Sequence, residues 1–244
     1  MSGHSKWATT KHKKAIVDAK RSASFTKLAN VVTIAARNGE DPAMNFQLRL
    51  AIDRAKAASM PKENIDRALR RAPGKLGDNI EEVVYEGYGP GGVAILIQCL
   101  TDNRLRTVSN IRSYFNKFGG ALAEAGSVAY LFEKKGQIII QKSKTQNPND
   151  EIKTQEEIEE LIINSSAEDF EVEEDITIVY TEVSKLQPVS KYLEDARIKI
   201  DSSGIIYKAK STVSLSDEKK MSLDKLLDVL DSDDDVADVY TNIS

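Results

Sequence analysis

A single cysteine, Cys99, stands among 244 residues, so no disulfide can close within the chain, and a reducing cytoplasm is the expected setting. Histidine is almost as scarce, with only His4 and His12, both at the N-terminal end. Cys99 therefore has no evident base to activate it, and no grouping of His, Cys, Asp and Glu has metal-ligand spacing. The sequence points away from catalysis, from a cofactor or metal, and from a small-molecule substrate. Long apolar runs are missing too. Nothing approaches the roughly 18 consecutive apolar residues that cross a bilayer. The N-terminal lysines are not followed by an apolar core segment, so neither a membrane partner nor a cleaved leader is expected.

Charge, by contrast, is plentiful and unevenly placed. Residues 1–75 hold 16 Lys and Arg against 6 Asp and Glu, a net +10, whereas residues 76–244 hold 18 against 32, a net −14; the whole chain carries −4. A polycationic head on an acidic body points to a polyanionic partner, DNA or ribosomal RNA. Lys6, Lys11, Lys13, Lys14, Lys20, Arg21 and Lys27 fall within 22 residues, His12 lies among them, and Trp7 can stack on an exposed base. Arg67, Arg70 and Arg71 decorate a predicted helix. The plain alternative is a solvated basic surface.

Residues 1–18 are polar and basic, and are expected to be mobile in the free protein. From Ala19 to Asn38, Phe25, Leu28, Val32 and Ala35 recur at helical spacing and read as an inner face, with Asn38-Gly39 as the stop. A second helix is expected to start at Asp41-Pro42 and bury Leu48, Ile52 and Ala55. A third runs from Met60-Pro61 through Ile65, Ala68, Leu69 and Ala72 to Pro73-Gly74. The short turn between the last two resembles a helix-turn-helix, though any small helical bundle has such turns.

Beyond Gly77 strands and helices alternate. Strands are predicted at 93–100, 128–132, 137–141, 176–181, 205–209, 212–215 and 237–242. Helices are predicted at 104–118 and around Ile158, Leu186 and Leu223. The expected fold is α+β: an N-terminal three-helix domain (1–78) followed by two ferredoxin-like α/β domains, the second (134–207) inserted into the first (79–133 plus 208–244). Two consecutive units with a trailing appendage would use the same elements.

Several motifs have bland readings. Gly87-Tyr88-Gly89-Pro90-Gly91-Gly92 satisfies the dinucleotide pattern G-x-G-x-x-G on paper. A strand follows it where a helix N-terminus is required, so a tight turn is the better reading. Asp231, Asp233 and Asp235 imitate a calcium loop, but Val236 stands at the glycine position and Asn242 at the glutamate position, leaving solvated loop acids before an edge strand. The acidic run Glu168–Asp175 reads as a solvated face. Arg104 and Arg106 occupy a helix first turn, where the dipole disfavours cations. Either a nearby carboxylate or a bound phosphate must compensate them.

Taken together, Ser2-Gly3-His4-Ser5-Lys6-Trp7, Lys11-His12-Lys13-Lys14-Ala15, Met60-Pro61-Lys62-Glu63-Asn64-Ile65, Tyr85-Glu86-Gly87-Tyr88-Gly89-Pro90-Gly91-Gly92 and Thr101-Asp102-Asn103-Arg104 resemble the YebC/PmpR family over the whole chain. The resemblance implies a helical N-terminal domain, two α/β domains, and a cytoplasmic, non-catalytic regulator of gene expression. Members are described either as DNA-binding transcriptional regulators or as ribosome-associated translational activators. A protein-interaction adaptor working through the acidic body is a further reading, and an enzyme holding a ligand near Gly87–Gly92 is the last.

Overall fold

The computed structural model describes residues 25–71, 80–141 and 154–244. The basic run before Phe25, the Pro73-Gly74 stop and the polar run 142–153, which reads as a loop from its sequence, lie outside them. Two compact units emerge, one made of the chain up to Glu133 together with Ala209–Ser244, the other of Lys134–Lys208. The architecture is α+β, with helices first and then two four-stranded antiparallel sheets.

The helical part consists of α1 (Phe25–Ala36), α2 (Phe46–Ala57) and α3 (Lys62–Arg71). Their core is Leu28, Val32, Leu48, Ala51, Ile52, Ala55, Ile65 and Ala68. A buried hydroxyl ties two helices, Thr33 donating to the Ala68 carbonyl at 3.1 Å. The second helix starts later than Asp41-Pro42 suggests. Asp41 instead closes a turn, its carboxylate accepting from the Ala43 N–H at 2.9 Å. Asn45 is the cap, accepting from the Leu48 N–H and donating to the carbonyls of Ala35 and Gly39 at 2.7 and 2.8 Å. An amide that both caps a helix and holds the preceding loop outcompetes an Asp-Pro start.

The first sheet is built from β1 (Glu81–Tyr88), β2 (Ala94–Thr101), β3 (Ala121–Ala123) and β8 (Val236–Thr241), in the order β3-β1-β2-β8. Against it pack α4 (Arg104–Lys117) and α7 (Asp217–Ser232), with Ile111, Phe115, Leu223, Leu226, Leu227 and Leu230 meeting Ile95, Ile97 and Cys99. Three sequence expectations change here. Strand β1 has no counterpart among the predicted strands, because Glu86 and Gly87 interrupt its apolar pattern. Both are buried for particular reasons. Glu86 accepts from the N–H groups of Gly126, Val128 and Ala129 at 2.7–2.8 Å. Gly87 lies where a Cβ would stand 2.5 Å from the Phe115 ring. Within the apolar run Val128–Phe132, Ala129–Leu131 form a single turn of 3-10 helix and Phe132 begins the strand Phe132–Gln141, so the run is not a separate strand. Finally, 212–215 supplies one bridge, Val213 to Ile243, rather than a strand.

The second unit alternates without interruption: β4 (Phe132–Gln141), α5 (Gln155–Asn164), β5 (Asp169–Val172), β6 (Ile176–Thr181), α6 (Leu186–Asp195) and β7 (Ile200–Ala209), in sheet order β5-β6-β4-β7. That is the ferredoxin-like order. The first sheet has the same order in space, but its inner strand next to β3 is β1, which precedes β2 in the chain. Helix α7 and strand β8 follow the second unit in the chain, while the strand that completes the first sheet is β1, ahead of β2, and not the expected 212–215. Part of the acidic run, expected as a solvated face, forms the edge strand β5.

Candidate nucleic-acid interface

Lys6, Trp7, Lys11, His12, Lys13, Lys14, Lys20 and Arg21 lie outside the described residues. Among the other sequence candidates, α3 carries Arg67, Arg70 and Arg71, which at i, i+3 and i+4 share one side of the helix. Arg67 and Arg70 are exposed and Arg71 is half-buried. Asn64 and Ala68 extend the same stripe. Facing it across a groove of about 180 Å³ are Phe25, Thr26 and Ala29 of α1.

Phe25 departs from its expected place on the inner face, being 43% exposed. It lies one turn before Leu28 and Ala29, where the apolar stripe has passed the edge of the core.

Lys27 is placed differently from the α3 arginines. Its ammonium donates to the Asp231 backbone carbonyl at 2.6 Å, at the end of α7. Desolvation there outweighs nearby acids and lowers its pKa. Sequence reasoning missed its companion Arg54 on α2. That guanidinium grips Asp238 of β8 as a fork, at 3.1 and 3.3 Å, and the carboxylate raises its already high pKa. No local signal marks Arg54, because its partner lies 184 residues away.

Arg104 and Arg106 both meet carboxylates. The Arg104 Nε lies 2.7 Å from Glu81. Arg106 donates to Asp102 at 2.8 Å and to Asp235 at 2.9 Å, hydrogen bonds that hold its pKa up. Asp235 also accepts from the Thr107 hydroxyl at 2.8 Å, and Asp233 from Tyr114 at 2.9 Å. These aspartates are therefore not the solvated loop acids that the sequence suggests. Asp235 is buried because it closes the N-terminal turn of α4 onto the α7–β8 connection. Beside them opens a cleft of about 460 Å³, lined by Asp102, Asp233, Asp234 and Asp235 with Arg71 and Arg106. Its acidic excess makes it a poor seat for phosphate.

The glycine turn is packed. Gly91 has φ +77°, and a Cβ there would meet the Leu215 side chain at 2.3 Å, while one on Gly89 would meet Ile95 at 2.8 Å. Leucine and isoleucine side chains thus pack directly against Gly91 and Gly89. Among the described residues no cluster of His, Cys, Asp and Glu could hold a metal, and no described helix is long and apolar enough to cross a membrane.

Two family models together match nearly the whole chain: the TACO1/YebC N-terminal domain over residues 5–75, and the TACO1/YebC second and third domain over residues 80–243. The chain belongs to the TACO1/YebC family. A probable transcriptional regulatory protein of Thermoanaerobacter pseudethanolicus is 44% identical over 245 aligned residues, covering 100% of this chain and 97% of that relative. Among solved structures, a conserved hypothetical protein of Aquifex aeolicus superposes with a TM-score of 0.86 at 42% identity, covering 98% of this chain and 97% of that one. The TACO1/YebC N-terminal match includes all three described helices and therefore both sets of cations, those of α3 and those turned toward β8.

Proposed function

We propose that this TACO1/YebC protein is a nucleic-acid-binding regulator of gene expression, acting in the cytoplasm without catalysis, and that it meets nucleic acid through the helical head. The observation that carries this reading is the outward placement of Arg67 and Arg70 on α3, in a stretch whose sequence holds a net +10. The name of the Thermoanaerobacter relative supports transcription as the process. The acidic body, net −14, would repel phosphate and confine binding to the head.

Replacing Lys11, Lys13 and Lys14 together by Ala tests the reading. Every phosphate that is no longer neutralised should flatten the dependence of log K on log salt by about 0.9 for duplex DNA and about 0.7 for single strands. Unchanged affinity and slope would overturn the proposal. Sedimentation through sucrose at low and high salt then separates the two processes. Free migration with footprinting on a promoter supports transcription, whereas salt-sensitive comigration with ribosomal subunits would replace it with translational activation through ribosomal RNA.

A further inference from the structure

We infer that the groove between α1 and α3 is a seat for one unstacked nucleobase, with the adjoining phosphate on the exposed α3 arginines, Arg67 and Arg70. This deepens the nucleic-acid reading and rests on it: the partner becomes a strand with a base free to leave its stack, RNA or DNA, rather than an intact duplex.

The groove has the parts such a seat needs. Its walls are two helical stripes, Phe25, Thr26 and Ala29 on one side and Asn64, Arg67, Ala68 and Arg71 on the other. Buried Ala68 and half-buried Ala29 form the floor where the two helices meet. Their short side chains leave that floor low, so a flat ring would lie over it, beside Phe25. Phe25 offers an aromatic face at one end, 43% exposed. The other aromatic ring of these helices, Phe46, is covered by the Arg49 guanidinium at 5.0 Å. Asn64 brings an amide that can both donate to and accept from a base edge. Arg67, one turn further along α3, is placed for a phosphate.

Size and charge select the occupant. At about 180 Å³ the groove falls below the roughly 300 Å³ at which drug-sized pockets begin, so it takes one ring system and not a folded segment. Its charged residues, Arg67 and Arg71, are both positive, and it continues onto exposed Arg70. Aromatic face, small floor and arginine rim together are how single strands are held, by stacking that tolerates any base plus backbone neutralisation.

The test is fluorescence anisotropy on the full-length protein with labelled oligo-rA, oligo-dA and a duplex of matched length, comparing wild type, Phe25→Ala and Phe25→Trp. Phe25→Ala should weaken both single strands about tenfold or more, leaving duplex affinity and the salt slope unchanged, and Phe25→Trp should restore binding. A clear preference between oligo-rA and oligo-dA identifies which strand is the source. Far-UV circular dichroism checks that the exposed substitutions leave the helices intact. Phe25→Ala binding single strands as tightly as wild type overturns the seat while leaving the charge reading in place. An equal loss on duplex and single strand also overturns it, since Phe25 would then act only through the fold. Salt-independent or absent binding by wild type, with saturable binding of an oligoglutamate peptide instead, overturns the seat and the nucleic-acid reading together.

Discussion

Two pairs of cations on the same three helices are put to different uses. Lys27 and Arg54 are turned toward the α7–β8 edge of the sheet and held there by the Asp231 carbonyl and the Asp238 carboxylate. Arg67 and Arg70 on α3 stay exposed. All four contribute equally to the net charge that singles out this part of the chain, yet only the second pair is available to an external polyanion. Net charge measures how strongly a region attracts phosphate at long range. The partition of its cations between internal and external partners decides where the phosphate can land.

The sharpest way to break the comparison is to exchange the fates of the two pairs. Reversing Arg67 and Arg70 together to Glu should cost about 100-fold or more in nucleic-acid affinity near physiological salt. The salt slope should fall by the equivalent of two phosphates, roughly 1.4 for single strands and 1.8 for duplex DNA. Arg54→Ala should leave both quantities where they are, because that guanidinium already has its carboxylate. Salt titrations of binding for the two variants decide it. Equal losses would mean that the dock with Asp238 opens when nucleic acid arrives.

A second prediction concerns the carboxylates. Asp235 is 9% exposed and accepts from Arg106 and Thr107 at once. An Asn in its place keeps one acceptor and brings two donors to face a guanidinium. Asp235→Asn should therefore destabilise by about 1–3 kcal/mol, read as a lower midpoint in urea, with nucleic-acid affinity unchanged. Tighter binding in this variant would show instead that Arg106 is a phosphate ligand which Asp235 normally occupies.

How much of this the sequence reveals depends on the range of the physics involved. Periodicity is local, so β2, α4, α7 and β8, and the second unit apart from β5, are legible from the spacing of Val, Ile and Leu, whereas β5 is hidden in an acidic run. Strand β1 is not, because the burial of Glu86 depends on backbone donors 40 to 43 residues further on and that of Gly87 on the ring of Phe115. The two sheets make the same point. The second is continuous in the chain and reads in order but for its edge strand β5, while the first borrows its inner strand from ahead of β2, where no local rule looks for it. In the candidate interface the charges are legible but their partners are not, since Lys27 and Arg54 meet residues 204 and 184 positions away. The exposure of Phe25 is hidden by a genuine helical stripe that continues one turn past the edge of the core.

The smallest effect expected belongs to Lys27, and its sign follows from its surroundings. Desolvation between α1 and the end of α7 lowers its pKa below the ordinary 10.5, despite the pull of Asp231 and Asp238. A lowered pKa means that the folded state binds the proton less tightly than the unfolded chain, so the charged form carries a penalty. That penalty is present at neutral pH and is relieved as pH rises through the folded value toward 10.5. Lys27 alone should therefore make stability increase slightly with pH in the alkaline range, against the decline set by Tyr85, Tyr114 and Tyr180, whose pKa values folding raises. Lys27→Met removes the contribution. The urea midpoint of the wild type, followed from neutral pH to about pH 10, should fall less steeply than that of the variant. Parallel curves would show that the hydrogen bond to Asp231 opens in solution and that Lys27 belongs with Arg67 and Arg70 as an outward-facing cation.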